Sequence, residues 1–201
     1  MTAGFFMSGK KIKNLKILLT NCCHQPHLPL TRRTIKNKKI MNATAQAPQI
    51  ISKDNLLRHW QGHRALTRRV IEAFPEKEFF EFSIGGMRTF AQLTSELLAI
   101  ASPALKGIVE RDEKPYVENM DNGTTKADYL RKWDEATEEI NKNWNLLDVA
   151  DFNQKFNLFG QYEFPIIDNI LYFIDNEIHH RGQGYVYLRA LNIEPPFFWE
   201  R

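Results

Sequence analysis

The stretch DNEIHHRGQGYVYLR, residues 175–189, sets two adjacent histidines, His179 and His180, between Glu177 and the pair Arg181 and Gln183. Imidazole and carboxylate are the side chains that ligate divalent ions or move protons near neutral pH, and a guanidinium beside them can neutralise a carboxylate. Glu177-x-x-His180 has the i, i+3 spacing used in carboxylate metal sites of helical bundles, because residues three apart share one helix face. Successive helical side chains turn by about 100°, so His179 and His180 cannot both enter one pocket. With His180 inward, Asn176 lies about 40° to one side and Glu177 about 60° to the other, over Phe173 two turns below. Such a face suits a divalent cation. The same residues equally form an internal ion-pair and hydrogen-bond network, and spacing alone leaves both readings open.

Other candidates are weaker. His59 and His63 in HWQGH have i, i+4 spacing but no obvious carboxylate partner, and read as face and core residues of a first helix. SIGGMR at 83–88 is a flexible lead-in that lacks the lysine and following helix start of a phosphate loop.

The elements that would position these residues are helical. Leu56, Leu57, Trp60, His63, Val70, Ile71 and Phe74 trace one face over about residues 53–74, with Ser52 or Asp54 as cap and Pro75 as stop. Thr89 and Gln92 have capping-box spacing before Leu93, Leu97 and Ile100; Pro103 either stops that helix or restarts it for a turn before Gly107. Thr125 and Asp128 open a third helix running to about residue 148, with Leu130, Trp133, Ile140, Trp144 and Leu147 as its core stripe. DFNQKFNLFGQYEF at 151–164 forms either a short hairpin or an ordered loop. Pro165 suits the first turn of a fourth helix reaching about residue 192, after which the aromatics of EPPFFWER are expected to fold back over the bundle. Four amphipathic helices without a rival strand pattern indicate an all-α four-helix bundle, an architecture that builds ligand and metal sites from facing helices.

Composition bounds the function. Of 201 residues, 43% are hydrophobic and 25% charged, ordinary values for a globular chain. Nine of the 27 Lys and Arg, but none of the 24 Asp and Glu, lie in residues 1–40, so a formal charge of +3 conceals a body of −6. An acidic body argues against nucleic acid as a partner. Residues 1–48 read as a basic extension to a domain at 49–201: a disordered arm, or upstream sequence translated from an early start, with Met41 a natural beginning for the compact part. The adjacent Cys22 and Cys23 cannot supply a disulfide framework, and LKILLTNCC is too short an apolar core for a signal peptide. No apolar run reaches the roughly 18 residues of a membrane span. A cytoplasmic location is therefore expected.

EIHHRGQGYVYLRALNIEPP, with HHRGQ at 179–183, YLR at 187–189 and PP at 195–196, resembles the last helix of the DinB-like (DinB/YfiT-like) superfamily. RTFAQLTSELL at 88–98 resembles its second helix and LLRHWQGHRALTRRVIEAFPE its first, so the resemblance spans about residues 50–200. It implies an up-and-down four-helix bundle, a homodimer, and a divalent ion (Mn, Fe, Mg, Ni or Zn) held by one histidine from the second helix and two, four residues apart, from the last. Those positions fall on Glu96, Asn176 and His180, and only His180 keeps the residue type. Either Glu96 and His180, helped by Asn176 or Glu177, hold a harder ion such as Mn, Fe or Mg, or Glu96 pairs with protonated His180 in a polar core without metal.

The activity implied by such relatives is metal-dependent hydrolysis or transfer of a low-molecular-weight thiol on a small-molecule substrate, with Glu177 or Glu96 as general base if not a ligand. The alternative is a metal-free bundle that binds a small ligand or serves a stress-related role without turnover. Arg181 is expected to pair with a carboxylate, Gln183 to satisfy a loop backbone and Gly182 to permit close helix contact.

Overall fold

The structure is a computed structural model that describes residues 50–118 and 120–201. The basic extension expected at 1–48 lies outside the described residues. Helix α1, Lys53–Ala73, begins where the Ser52 side chain accepts a hydrogen bond from the Asn55 amide, and it stops before Pro75. A short helix α2, Glu76–Glu81, follows; its EKEFFE is too brief for any periodicity to announce it. Helix α3, Phe90–Glu110, opens with the Thr89–Gln92 capping box and runs uninterrupted through Pro103. One missing amide donor is tolerated there because the rest of the α3 ladder continues on both sides. Helix α4, Lys126–Leu146, opens with the Thr125–Asp128 box. A 3-10 turn at Val149–Asn153 then leads to an antiparallel hairpin, β1 Lys155–Leu158 and β2 Tyr162–Pro165, resolving that segment in favour of strands. Helix α5, Ile166–Ala190, has Pro165 as its cap rather than inside its first turn.

The described residues thus form the expected all-α four-helix bundle, with α5 flanked by α1 and α3, and α4 by the same two. Side-chain pairings fix the directions. Trp60 meets Phe173, Arg64 meets Glu177 and Thr67 meets Arg181, so α1 and α5 run parallel. Gln61 meets Asn141 and Arg68 meets Asp134, so α4 opposes α1; Glu96 meets His180 while Phe90 lies on Gly184, so α3 opposes α5. The order is therefore up, down, down, up. This refines the up-and-down expectation: α3 and α4 run the same way, and residues 111–125 must carry the chain back along the bundle.

The core falls into two apolar clusters. One centres on Trp60, Trp144 and Phe173; the other stacks Phe74, Phe79, Phe90, Tyr129 and Tyr187 at the end where α3 begins. Close approach of α3 to α5 depends on Gly184, where a Cβ would sit 2.4 Å from the Phe90 ring. Gly182, expected to serve that purpose, faces open space. Nor do the terminal aromatics cover the bundle: Phe197, Phe198 and Trp199 are exposed, and the tail is held instead by Glu200 to Arg69 and Arg201 to His63.

Candidate ligand site

Antiparallel packing of α3 on α5 brings Glu96 against Asn176 and His180. Glu96 Oε1 accepts from His180 Nε2 at 3.0 Å and from Asn176 Nδ2 at 3.4 Å, while Oε2 pairs with the Arg88 guanidinium at 2.5 Å. The His180 Nδ1 faces Gln183 Oε1 at 3.0 Å, so both ring nitrogens lie within hydrogen-bond distance of side-chain oxygens. Burial alone would raise the Glu96 carboxyl, but the hydrogen bonds from His180 and Arg88 outweigh it and hold the group below its ordinary range. Gln183, expected to satisfy a loop backbone, instead links His180 to His179 on its own helix.

Glu96 is the floor of an open cleft. One lobe of about 350 Å³ is lined by Arg88, Gln92, Ser95, Glu118 and Asp121 with it; a second of about 270 Å³ adds Phe159, Tyr162 and Tyr172 from the hairpin and α5. Tyr116 and Glu118, on the segment that returns from α3 to α4, line both lobes. Burial, followed by the charge of Glu96, raises the Tyr116 and Tyr172 hydroxyls, so they remain neutral phenols. Sequence spacing missed Arg88, Tyr116 and Tyr172. The basic residue before the Thr89 cap carried a signal, since about two turns of helix place that end of α3 on the same face as Glu96. Tyr172 carried one too, one turn before Asn176 on α5; Tyr116 comes from the α3–α4 segment, and nothing local joins it to the pair.

Glu177 is not part of this constellation. It is 1% exposed on the side of α5 that faces α1, where Thr67 Oγ1 donates to it at 2.7 Å and Arg64 and Arg181 lie at 3.6 and 3.7 Å. Burial pushes its carboxyl up against the pull of those cations. The roughly 60° between positions 177 and 180 is enough to aim one at α1 and the other at α3, because α5 is wedged between both. Arg181 pairs with a carboxylate as expected, and also donates to His63 Nδ1 at 2.8 Å and Thr67 Oγ1 at 3.0 Å. Glu177 therefore bonds within a closed network and is neither beside the Glu96–His180 pair nor open to a substrate.

A divalent ion at the family positions would need Glu96, Asn176 and His180 to turn lone pairs towards one point. These residues do not fit it. Both Glu96 oxygens already face donors, the Asn176 amide donates rather than accepts, and Arg88 places a fixed positive charge where the ion's would be. Among the described residues no three His, Cys, Asp or Glu side chains converge as a ligand set would.

Two solved structures share this architecture. A DinB-like protein from Bacillus cereus ATCC 10987 matches with a TM-score of 0.60 at 14% identity, covering 71% of this chain and 95% of its own. A DinB-like protein from Bacillus subtilis, YjoA, matches with a TM-score of 0.58 at 18% identity, covering 73% and 99%. At these identities the likeness shows the fold alone. No curated protein matches the chain. The DinB family model matches residues 41–200, four helices and the hairpin included, and by that match the chain belongs to the DinB family.

Proposed function

We propose that this chain is a small-molecule-binding DinB-family bundle whose pocket is organised by the Glu96–His180 pair without a resident metal, rather than a metal-dependent hydrolase or thiol transferase. The observation that supports this reading is the double engagement of Glu96, by His180 on one oxygen and by Arg88 on the other. Metal-assisted hydrolysis or thiol transfer needs an open coordination position and a lowered pKa on the bound water or thiol. Here Arg88 supplies the positive charge that an ion would otherwise bring to the carboxylate. What is left facing the cleft is a preorganised polar floor beneath aromatic walls, the usual composition of a small-ligand pocket.

The test is metal analysis of untagged protein beside a His180→Ala variant. We expect far less than one ion per chain in both, and a melting temperature unmoved by a chelator. One ion per chain in the wild type, lost with His180, overturns the proposal and returns Glu96, Asn176 and His180 to a ligand role.

A further inference from the structure

The cleft above Glu96 continues beyond the family positions. Its second lobe joins a larger one of about 540 Å³ that shares Phe159, Tyr162 and Tyr172 and adds Phe164 and Asp168. Four aromatic residues from the hairpin and α5 therefore converge on one hollow, with Tyr116 closing it from the α3–α4 segment at 5.4 Å from the Phe159 ring. Tyr162, Phe164 and Tyr172 remain 53, 51 and 45% exposed, a cost in wetted apolar surface that scattered single residues would not concentrate in one place. Phe159 adopts the left-handed conformation at φ 57°, unusual for a bulky side chain, and so the turn is held in a strained form that lets this ring line the hollow.

Charge is equally one-sided. Glu96, Glu118 and Asp168 line the two lobes, and no Lys or Arg does. Glu118 and Asp168 make no ion pair among the described residues, so their charge is not compensated as that of Glu96 is. A neutral apolar ligand would explain the rings but not the carboxylates; an anion would meet the uncompensated charges of Glu118 and Asp168. A bare metal ion would find ring faces where it needs donors.

We infer that this hollow binds an organic cation, its ammonium group between the faces of Tyr116, Tyr162 and Tyr172 and the carboxylates of Glu96 and Glu118, its apolar part along Phe159 and Phe164. Ring faces carry negative charge density and attract ammonium groups, quaternary ones above all, because these are cheap to desolvate. The neutral phenols keep that attraction while adding no charge of their own. The inference names the ligand class for the metal-free pocket proposed above and rests on that reading only for the state of Glu96.

Calorimetric titration of the full chain with choline, and with its uncharged carbon isostere 3,3-dimethylbutan-1-ol, tests it. Choline should bind about tenfold more tightly than the isostere, an advantage of the size expected for a partly desolvated cation–π contact. Tyr172→Leu should abolish most of that advantage, Tyr172→Phe should keep it, and Glu118→Gln should weaken choline and reduce its salt dependence. The variants' melting temperatures show that the fold is intact. Equal binding of the two probes, or binding of neither at tens of millimolar, overturns the inference. Choline selectivity in protein carrying one ion per chain would sink the metal-free proposal alone, whereas metal-free protein indifferent to choline would sink this inference alone.

Discussion

Helix α5 carries two polar clusters within eight residues, 176–183, and they behave as opposites. On the side facing α1, Glu177 and Arg181 join Arg64, Thr67 and His63 in a network whose members are all at most 5% exposed. On the side facing α3, Asn176 and His180 join Glu96, Arg88 and Gln183, and the carboxylate there keeps 20% of its side chain exposed, at the floor of a cleft. Both clusters hold a carboxylate, a guanidinium and an imidazole. What separates them is access: one borders an open cleft and the other does not. Residue type on a helix therefore does not distinguish framework from site. The deciding fact is which neighbouring helix covers the face, and whether anything covers it completely.

The largest expected effect is on the closed side. Glu177→Ala leaves Arg64 and Arg181 buried without their counter-charge, which typically costs about 3–5 kcal/mol. The matching change on the open side, Glu96→Gln, keeps an acceptor for His180 and can be rehydrated, so it should cost about 1 kcal/mol. Urea unfolding of the two variants measures both. Equal losses would mean that Glu96 is as much a framework residue as Glu177, and that access does not separate the clusters.

That separation explains what the sequence could and could not disclose. Helices α1, α3, α4 and α5 were legible from apolar spacing and from Ser52, Thr89 and Thr125 at their starts, since caps and periodicity are local. The family motif also placed Glu96, Asn176 and His180 together. Glu177 was misplaced because spacing locates a residue around its own helix but not the helix that covers it. Tyr116 escaped notice because it reaches the cleft from the segment between α3 and α4, whereas Arg88 and Tyr172 lie within about two turns of Glu96 and Asn176 and were within local reach. The parallel run of α3 and α4 escaped for a related reason: a loop's length does not reveal whether it turns back at once or crosses the bundle. EPPFFWER shows the limit of composition, since aromatic content suggested burial while Glu200 and Arg201 are what tie the tail down.

An intermediate effect separates the clusters by pH. Burial, then the charges of Arg181, His59 and Arg201, lowers the His63 imidazole from 6.5 to about 3. Below pH 6.5 the unfolded chain takes up a proton that the folded ring refuses, so stability falls as pH falls from 6.5 towards 3. The slope is bounded by about 1.4 kcal/mol per pH unit. Glu96 acts in a lower window: held below its ordinary 4.5, it contributes fully above that value, and the contribution is lost as pH falls from there through its depressed folded-state value. Urea midpoints at pH 7, 6 and 5 should decline for the wild type and decline less for His63→Gln. Parallel slopes would remove His63 as the source and leave the closed cluster without a pH signature.

The smallest effect on stability is also the one most informative about the cleft. Arg88 is 47% exposed, and an ion pair in that setting is worth at most about 1 kcal/mol. Its backbone carbonyl, which accepts from the Tyr187 hydroxyl at 2.9 Å, survives a change of side chain. Arg88→Gln should therefore leave unfolding nearly unchanged while returning one negative charge to the Glu96 carboxylate. If that carboxylate faces a bound ammonium group, choline affinity should rise by roughly two- to fivefold at low ionic strength and the gain should fade as salt is added, as screened interactions between partly exposed charges do. A fall in choline affinity would show that Arg88 shapes the cleft rather than competes for its charge, and a loss of 2 kcal/mol or more in stability would move Arg88 to the framework side. With Glu96 so freed of one cation, any divalent ion that the variant acquires and the wild type lacks would also locate, by substitution, the positive charge that Arg88 supplies.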